Sequence, residues 1–165
     1  RVGWIGTLLT EQRRQARVLA ELNPNLLDVR SVEWVRDRHG SVTARGSLTL
    51  EDQAKEWHAL LDLAGHGWSA RLKLLLATGR PVLIQERPWR EWWHEAMEPY
   101  VHYIPVAADL SDLLAQSSLV LGDETLASFI GSNGREFADK RLSRDQALLQ
   151  IRKLLLSDNQ NGAPQ

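Results

Sequence analysis

The 165-residue sequence lacks three features that would each point to a particular class of protein. It has no cysteine, which excludes disulfide scaffolds, thiolate zinc sites and cysteine nucleophiles, and which favours a reducing compartment. No apolar run reaches the length of a membrane span, and we expect no signal peptide. Neither sign of charge is in excess, since 20 Lys and Arg face 21 Asp and Glu. We therefore expect no nucleic-acid partner, and expect any recognition of phosphate to be local.

What the sequence does contain is an alternation of strand and helix patterns, which is typical of a parallel sheet covered on both faces. Apolar runs predict strands at residues 2–6, 26–29, 59–63, 81–85 and 101–105. Helices are predicted at residues 11–22, 48–58, 89–97, 109–121, 123–130 and 143–156, and residues 37–46 form a polar loop compatible with a small hairpin. These patterns predict one α/β domain over residues 1–156 and a disordered polar tail over residues 157–165.

Two of the predicted helices carry side chains whose spacing is informative. Thr10 is a suitable cap for the helix at 11–22, whose apolar face is predicted to comprise Ala16, Val18, Leu19 and Leu22. The helix at 89–97 has tryptophans at the i, i+3 and i+4 spacing of a core-facing surface, at positions Trp89, Trp92 and Trp93. His94 and His102 lie near Glu91 and Glu95, but on different faces or elements. We expect structural histidines there, with no metal site.

The segment from residue 60 to 86 has the pattern of a phosphate-binding site. An apolar strand leads into Gly65-His66-Gly67, followed by a short amphipathic helix and a second strand. Glycines at such a turn let the first amides of the helix point at a phosphate with the helix dipole behind them. Arg71 is predicted to lie one turn into this helix, where its guanidinium can share the charge of a diphosphate. A plainer role for Arg71 is an ion pair with Asp62 or Glu86.

A dinucleotide site is an alternative interpretation of the same segment. Gly65, Gly67 and Ala70 satisfy the spacing of the glycine-rich fingerprint of NAD-binding domains. Glu86 follows the next strand, where an acidic residue binds a ribose. The fingerprint alone is weak, and it accounts neither for the segment around Thr7 and Arg13 nor for residues 99–105.

Several ordered blocks of the sequence resemble the CAP10 domain, or glycosyltransferase family 90. The first block is Trp4-Ile5-Gly6-Thr7 with Arg13 and Arg14, and the second is Gly65-His66-Gly67-Trp68-Ser69-Ala70-Arg71-Leu72-Lys73. The third runs from residue 79 through Trp89 to residues 98–106 and Asp109-Leu110-Ser111-Asp112-Leu113, and the fourth is Asn133-Gly134 with Phe137 and Ala138. Their order and spacing across nearly the whole chain are more specific than any single block.

The resemblance implies a Rossmann-like domain with helices on both faces of a parallel sheet, namely the C-terminal, donor-binding domain of a two-domain GT-B enzyme. It implies an inverting transfer of a sugar from a UDP-sugar, such as UDP-glucose or UDP-xylose, to a hydroxyl of a protein or glycan, without a metal cofactor. The implied donor-binding residues are Thr7, Arg13, His66, Gly67, Trp68, Ser69, Ala70 and Arg71, with Glu86 for the ribose.

The family's catalytic base is expected upstream of the matched region, in a missing N-terminal domain, so no base is assigned. The chain is expected to be a piece of a longer enzyme and to be inactive by itself. A module that binds the donor without turnover remains an alternative. The absence of cysteine favours the cytoplasm or the cytoplasmic face of a membrane, with the lumen of the endoplasmic reticulum expected for a eukaryotic protein.

Overall fold

Apolar strands form a central sheet in the computed structural model, which describes the backbone of residues 1–161 and the side chains of residues 1–156. In this range the strands are β1 (Val2–Gly6), β2 (Leu27–Ser31), β3 (Glu33–Arg36), β4 (Val42–Arg45), β5 (Ala59–Asp62), β6 (Val82–Gln85) and β7 (Ile104–Val106). The helices are α1 (Glu11–Leu22), α2 (Leu50–Glu56), α3 (Leu72–Ala77), α4 (Leu113–Gly122), α5 (Glu124–Arg141) and α6 (Arg144–Asn161). The predicted alternation of strands and helices is confirmed.

The order of the strands determines where a ligand can enter. The five-stranded sheet has the order β2-β1-β5-β6-β7, and every neighbouring pair is parallel. Strand β2 lies on one side of β1, and β5, the next strand of this sheet along the chain, lies on the other side. In open parallel sheets, such a reversal opens a crevice at the carboxyl ends of the two strands. The switch point of this fold lies between β1 and β5.

The core has two parts, one on each face of the sheet. Successive strand residues point to opposite faces, so Leu61 joins the cluster beneath α1 and α4, whereas Leu60 joins the cluster beneath α3. Helix α5 contributes Ile130 to the first cluster and Phe137 to the second. Burial on both faces explains the continuous apolar runs of β5 and β6. The predicted α/β architecture, with helices on both faces, is therefore confirmed.

The predicted apolar face of α1 is partly wrong. Thr10 caps the helix as predicted, since its Oγ1 accepts from the backbone amide of Arg13 at 3.4 Å. The buried positions, however, are Ala16 and Ala20, while Val18 is 53% exposed and Leu22 is 73% exposed. Each residue turns a helix by about 100°, so Val18 lies on the opposite side from Ala16. The two alanines allow α1 to lie close to the sheet.

The small hairpin considered for the polar loop is present, although its first strand begins earlier, at Glu33, and two other connecting segments differ from the sequence prediction. Strands β3 and β4 form a hairpin, whose turn is held by Asp37 Oδ1 accepting from the amides of His39 and Ser41 at 2.8 and 2.9 Å. Residues 89–97 form only a short 3₁₀ turn, His94–Ala96, and the ring of His94 accepts from the amide of Glu91 at 2.9 Å. Strand β7 begins at Ile104, three residues later than predicted.

The helices after β7 also differ in their ends. Helix α4 begins at Leu113 rather than at residue 109, and α5 continues to Arg141 instead of ending at residue 130. Ser143 accepts from the amide of Gln146 at 3.3 Å, as expected for a cap of α6. The backbone of α6 continues to Asn161, into the predicted tail, of which residues 162–165 lie outside the described residues.

The predicted tryptophan surface is also wrong in part. Trp93 is buried and its ring stacks on that of His94, with centroids 4.1 Å apart, whereas Trp89 and Trp92 are exposed. His102 accepts from the amide of Glu98 at 3.0 Å, which agrees with the structural role predicted for both histidines. Without a regular helix, the i, i+3 and i+4 spacing no longer places the three tryptophans on one side.

Candidate functional site

A groove of about 510 Å³ opens at the carboxyl ends of β1 and β5, at the switch point of the sheet. The end of β1 forms its floor. One wall is the loop at residues 63–71, and the other includes Trp34 and Ala44 of the β3–β4 hairpin. Eight of the nine residues predicted to bind the donor line it: Thr7, Arg13, His66, Gly67, Trp68, Ser69, Ala70 and Arg71. The fold thus brings two segments together that are separated by about 50 residues in the sequence.

Arg13 ties these two segments to each other. Its guanidinium donates to three backbone carbonyls: Nε to Ala64 at 3.0 Å, Nη1 to Thr7 at 3.1 Å and Nη2 to Leu63 at 3.4 Å. A Cβ at Gly65 would lie 3.1 Å from Arg13 Nη2, so a residue without a side chain suits this position. A guanidinium has five N–H groups, and two of those on Arg13 remain for a ligand.

Arg71, at the end of the loop at residues 63–71, also reaches the end of β1. Its Nη1 donates to the carbonyl of Ile5 at 2.6 Å, and its Nη2 lies 3.9 Å from Asp62 Oδ1. The guanidinium carbons of Arg13 and Arg71 lie 5.2 and 5.8 Å from the ring centroid of the buried Trp4. Both cations therefore contact one aromatic side chain.

The electrostatic state of the groove favours an anion. Burial lowers the pKa of Arg71, and burial together with the charge of Arg71 lowers the pKa of Arg13. The other charged groups acting on Arg13 are Asp62 and Arg87, which form an ion pair with each other. Among the described side chains that line the groove, Arg13 and Arg71 thus carry two positive charges that Asp62 does not balance. A bound phosphate would relieve this imbalance.

Of the buried polar residues beneath the groove, the sequence interpretation named only Asp62, as a possible ion-pair partner of Arg71, and it missed Gln85 and Arg87. Asp62 is 1% exposed, accepts from Ser69 Oγ at 2.8 Å and pairs with Arg87 Nη2 at 2.6 Å. Gln85, also buried, accepts from the amide of Ala64 at 2.8 Å and donates to the carbonyl of Ala108 at 2.7 Å. The available signal was a polar residue at the end of each of two apolar strands, Asp62 on β5 and Gln85 on β6.

The predicted geometry of the glycine turn is wrong. Gly65 and Gly67 do not adopt positive φ, and no side chain would be crowded at Gly67. Helix α3 begins at Leu72 and has six residues, so Arg71 is its N-cap and does not lie one turn inside it. Side-chain guanidiniums, rather than the amides of a long helix, are the principal phosphate donors that this groove offers.

Glu86 lies apart from the other predicted residues. It lines a second cavity of about 370 Å³ at the carboxyl ends of β6 and β7, together with Arg87, His94 and Tyr103. The structure does not bring Glu86 into the first groove, and its assignment to a ribose stays a prediction. Among the described residues there is no group of three His, Asp or Glu arranged to hold a metal ion, and no helix that could span a membrane.

The strand order and the cationic groove at the switch point define an open parallel α/β domain whose ligand crevice lies between β1 and β5. The family model described as Glycosyl transferase family 90 matches residues 4–157, and the chain belongs to this family. The resemblance found in the sequence blocks is thereby confirmed.

Curated relatives agree with this assignment. Protein O-glucosyltransferase 1 of Rattus norvegicus is 30% identical over 145 residues, which cover 85% of this chain and 36% of the relative. Protein O-glucosyltransferase 2 of Danio rerio is 33% identical over 154 residues, covering 92% of this chain and 31% of the relative. The chain thus spans about a third of the length of these relatives.

Solved structures share the fold. The HepE protein of Anabaena, crystallised with UDP-glucose and with UDP, superposes with TM-scores of 0.57 and 0.58 at 14% and 15% identity. In both cases the match covers 94% of this chain and 40% of the HepE chain.

Proposed function

We propose that this chain is the donor-binding part of an inverting glycosyltransferase, which transfers a sugar from UDP to a hydroxyl of a protein or glycan. Membership of family 90 and the names of the O-glucosyltransferase relatives support the class of reaction. The complexes of HepE with UDP-glucose and UDP support a uridine nucleotide as the carrier. UDP-glucose and UDP-xylose are the candidate donors.

The observation that carries this proposal is the pair of guanidiniums on Trp4. Arg13, in the first turn of α1, and Arg71, the N-cap of α3, converge at the switch point, and their charges exceed the single carboxylate in the groove. A diphosphate carries negative charge and pairs of oxygens that the planar guanidinium can bind through two parallel hydrogen bonds. The NAD alternative lacks comparable support, because Glu86 lies in another cavity and the family match concerns glycosyl transfer.

The proposed reaction requires little covalent chemistry from this domain. The acceptor oxygen forms a bond to the anomeric carbon while the bond from that carbon to the UDP oxygen breaks, with inversion. The acceptor's proton goes to a carboxylate base, which we place in an N-terminal domain that also contributes most of the acceptor site. Arg13 and Arg71 stabilise the charge that develops on the departing UDP, and they do so without a metal ion.

Titration with UDP, UDP-glucose, UDP-xylose and NAD tests the proposal. We expect the uridine nucleotides to bind and NAD not to bind, with UDP affinity unchanged by EDTA. In Arg71→Ala, loss of a charged hydrogen-bonding group should weaken UDP binding by about 1.5 to 3 kcal/mol. Arg14→Ala is the control, because Arg14 follows Arg13 but is exposed and pairs with Glu11.

Binding of NAD with no response to UDP would overturn the proposed function, and unchanged UDP affinity in Arg71→Ala would refute the role of that residue. Sugar transfer by a longer protein that includes an upstream acidic base, but not by the 165-residue chain, would separate a working enzyme from a module that only binds the donor. The proposed cytoplasmic or membrane-peripheral location is supported by the cysteine-free sequence alone.

A further inference from the structure

The buried ion pair of Arg87 and Asp62 lies directly beneath the groove. We propose that this pair positions Arg71 and the loop at residues 63–71 for the diphosphate, so that Arg87 determines donor affinity without touching the donor. The proposal rests on the function proposed above and assigns a role to two residues outside the predicted site.

The pair is deeply enclosed. The side chain of Arg87 is 4% exposed and that of Asp62 is 1% exposed. Arg87 Nη2 donates to Asp62 Oδ2 at 2.6 Å and to the Asp62 carbonyl at 2.9 Å, while its Nε donates to the Gln85 carbonyl at 3.1 Å. Arg87 thereby fixes the carboxylate relative to the ends of two neighbouring strands, β5 and β6.

The other oxygen of the carboxylate faces the groove. Asp62 Oδ1 accepts from Ser69 Oγ at 2.8 Å, and Arg71 Nη2 lies 3.9 Å from the same oxygen. The two oxygens of Asp62 therefore have different partners: Oδ2 binds Arg87, whereas Oδ1 holds Ser69 of the loop and attracts Arg71. Without Arg87, the carboxylate would lose the contacts that fix its place, and Oδ1 would no longer hold Ser69 and Arg71 in the positions that the diphosphate requires.

Arg87 itself offers nothing to a ligand in this groove. Its Nη1 is shielded from solvent and has no hydrogen-bond partner among the described residues. A buried ion pair is also weak evidence for stability, because apolar residues of similar volume often stabilise a fold as well or better. An effect on Arg71 therefore accounts for this pair better than a contribution to folding does.

The central experiment is a double-mutant cycle on UDP affinity with Arg87→Met and Arg71→Ala. We expect Arg87→Met to weaken UDP binding on the order of tenfold or more, because misplaced binding groups lose much of their effect. In the Arg71→Ala background the same substitution should change affinity less than about twofold, since its target is gone. Arg90→Met, an exposed arginine of the same segment, is the matched control.

Two further variants separate positioning from folding. Ser69→Ala removes the bond from the loop to Asp62, but Ser69 also lines the groove, so the informative result is its coupling to Arg87→Met: we expect the two substitutions together to weaken UDP binding by less than the sum of their separate effects. Asp62→Leu combined with Arg87→Met leaves no unpaired buried charge, so we expect a near wild-type unfolding temperature together with weakened UDP binding.

The outcomes of these experiments are distinct. Wild-type UDP affinity in a folded Arg87→Met or Asp62→Leu/Arg87→Met protein would overturn the positioning role. Equal effects of Arg87→Met with and without Arg71 would also overturn it. Failure of the wild-type chain to bind UDP would instead reject the proposed function.

Discussion

Trp4 is the residue on which the groove depends. Its indole is buried on β1, lies against Gly6 and meets both guanidiniums on its ring. A cation on an aromatic face gains about 0.5 to 2 kcal/mol, with the larger values at desolvated sites. The indole thus offsets part of the repulsion between Arg13 and Arg71 before a ligand arrives. The groove can hold two like charges in place, ready for a diphosphate.

His94 provides a pH-dependent test at the residue scale. Burial lowers the pKa of His94 from its ordinary value of 6.5, against smaller opposing effects from Glu91. Below pH 6.5 the unfolded chain therefore binds a proton that folded His94 does not bind. The free energy of unfolding should fall as the pH drops through this range and level off below the lowered pKa.

Urea unfolding at pH 7.5 and at pH 5.5 measures this effect. The decrease in unfolding free energy should be smaller in His94→Gln than in the wild type. His39→Gln, at an exposed position in the hairpin turn, serves as the comparison for the replacement of a histidine by glutamine. Equal decreases in wild type and His94→Gln would contradict the prediction.

At the element scale, α5 approaches the body of the domain through a glycine. A Cβ added to Gly131 would lie 2.2 Å from the carbonyl oxygen of Gly79, in the turn between α3 and β6. Gly131→Ala should therefore destabilise the protein by about 1 to 3 kcal/mol, even though alanine is the better helix former. Chemical denaturation measures the change. Ser132→Ala, exposed on the same helix, should change stability little, and a Gly131→Ala protein as stable as wild type would show that α5 can shift.

The elements that the sequence predicted well are those with a local cause. Strand β1 and helix α1 have the predicted ends, because an apolar run and a capping Thr10 act within a few residues. The spacing of the tryptophans predicted a helix where the structure has the 3₁₀ turn His94–Ala96, since that spacing alone does not distinguish a regular helix from a series of turns. The buried face of α1 was missed because the small Ala16 and Ala20, which pack on the sheet, give a weaker apolar signal than the exposed Val18 and Leu22.

In the candidate site, too, residues with a local sequence signal were predicted, whereas contacts that depend on the folded sheet were not. Arg71 and the loop before it were identified from the sequence, but the contact of Arg13 with Ala64 exists only in the folded sheet. The pairing of Asp62 with Arg87 joins residues 25 positions apart, and spacing alone gave no reason to pair them. Glu86 shows the converse, since proximity in sequence to the motif did not place it in the groove.

Ligand binding should be visible in the stability of the whole molecule. A ligand that binds only the folded state stabilises it by about 2.7 kcal/mol at a concentration one hundred times its Kd. We expect UDP to raise the midpoint of thermal unfolding in proportion to the logarithm of its concentration. NAD at equal concentrations should leave the midpoint unchanged, and Arg71→Ala should require more UDP for the same shift. A midpoint independent of UDP would count against a specific site.

The long sequence separation between the segments that Arg13 and Ala64 join also affects how early in folding the groove can form. The groove exists only after β1 has paired with β5, and this pairing closes a loop of more than 50 residues that contains α1, β2, the hairpin and α2. Contacts between distant segments form slowly, because the chain loses loop entropy before they stabilise it. During synthesis, β1 must wait for β5 to emerge. A ligand of the groove therefore cannot assist the earliest folding events, since its site does not exist until β1 and β5 have paired.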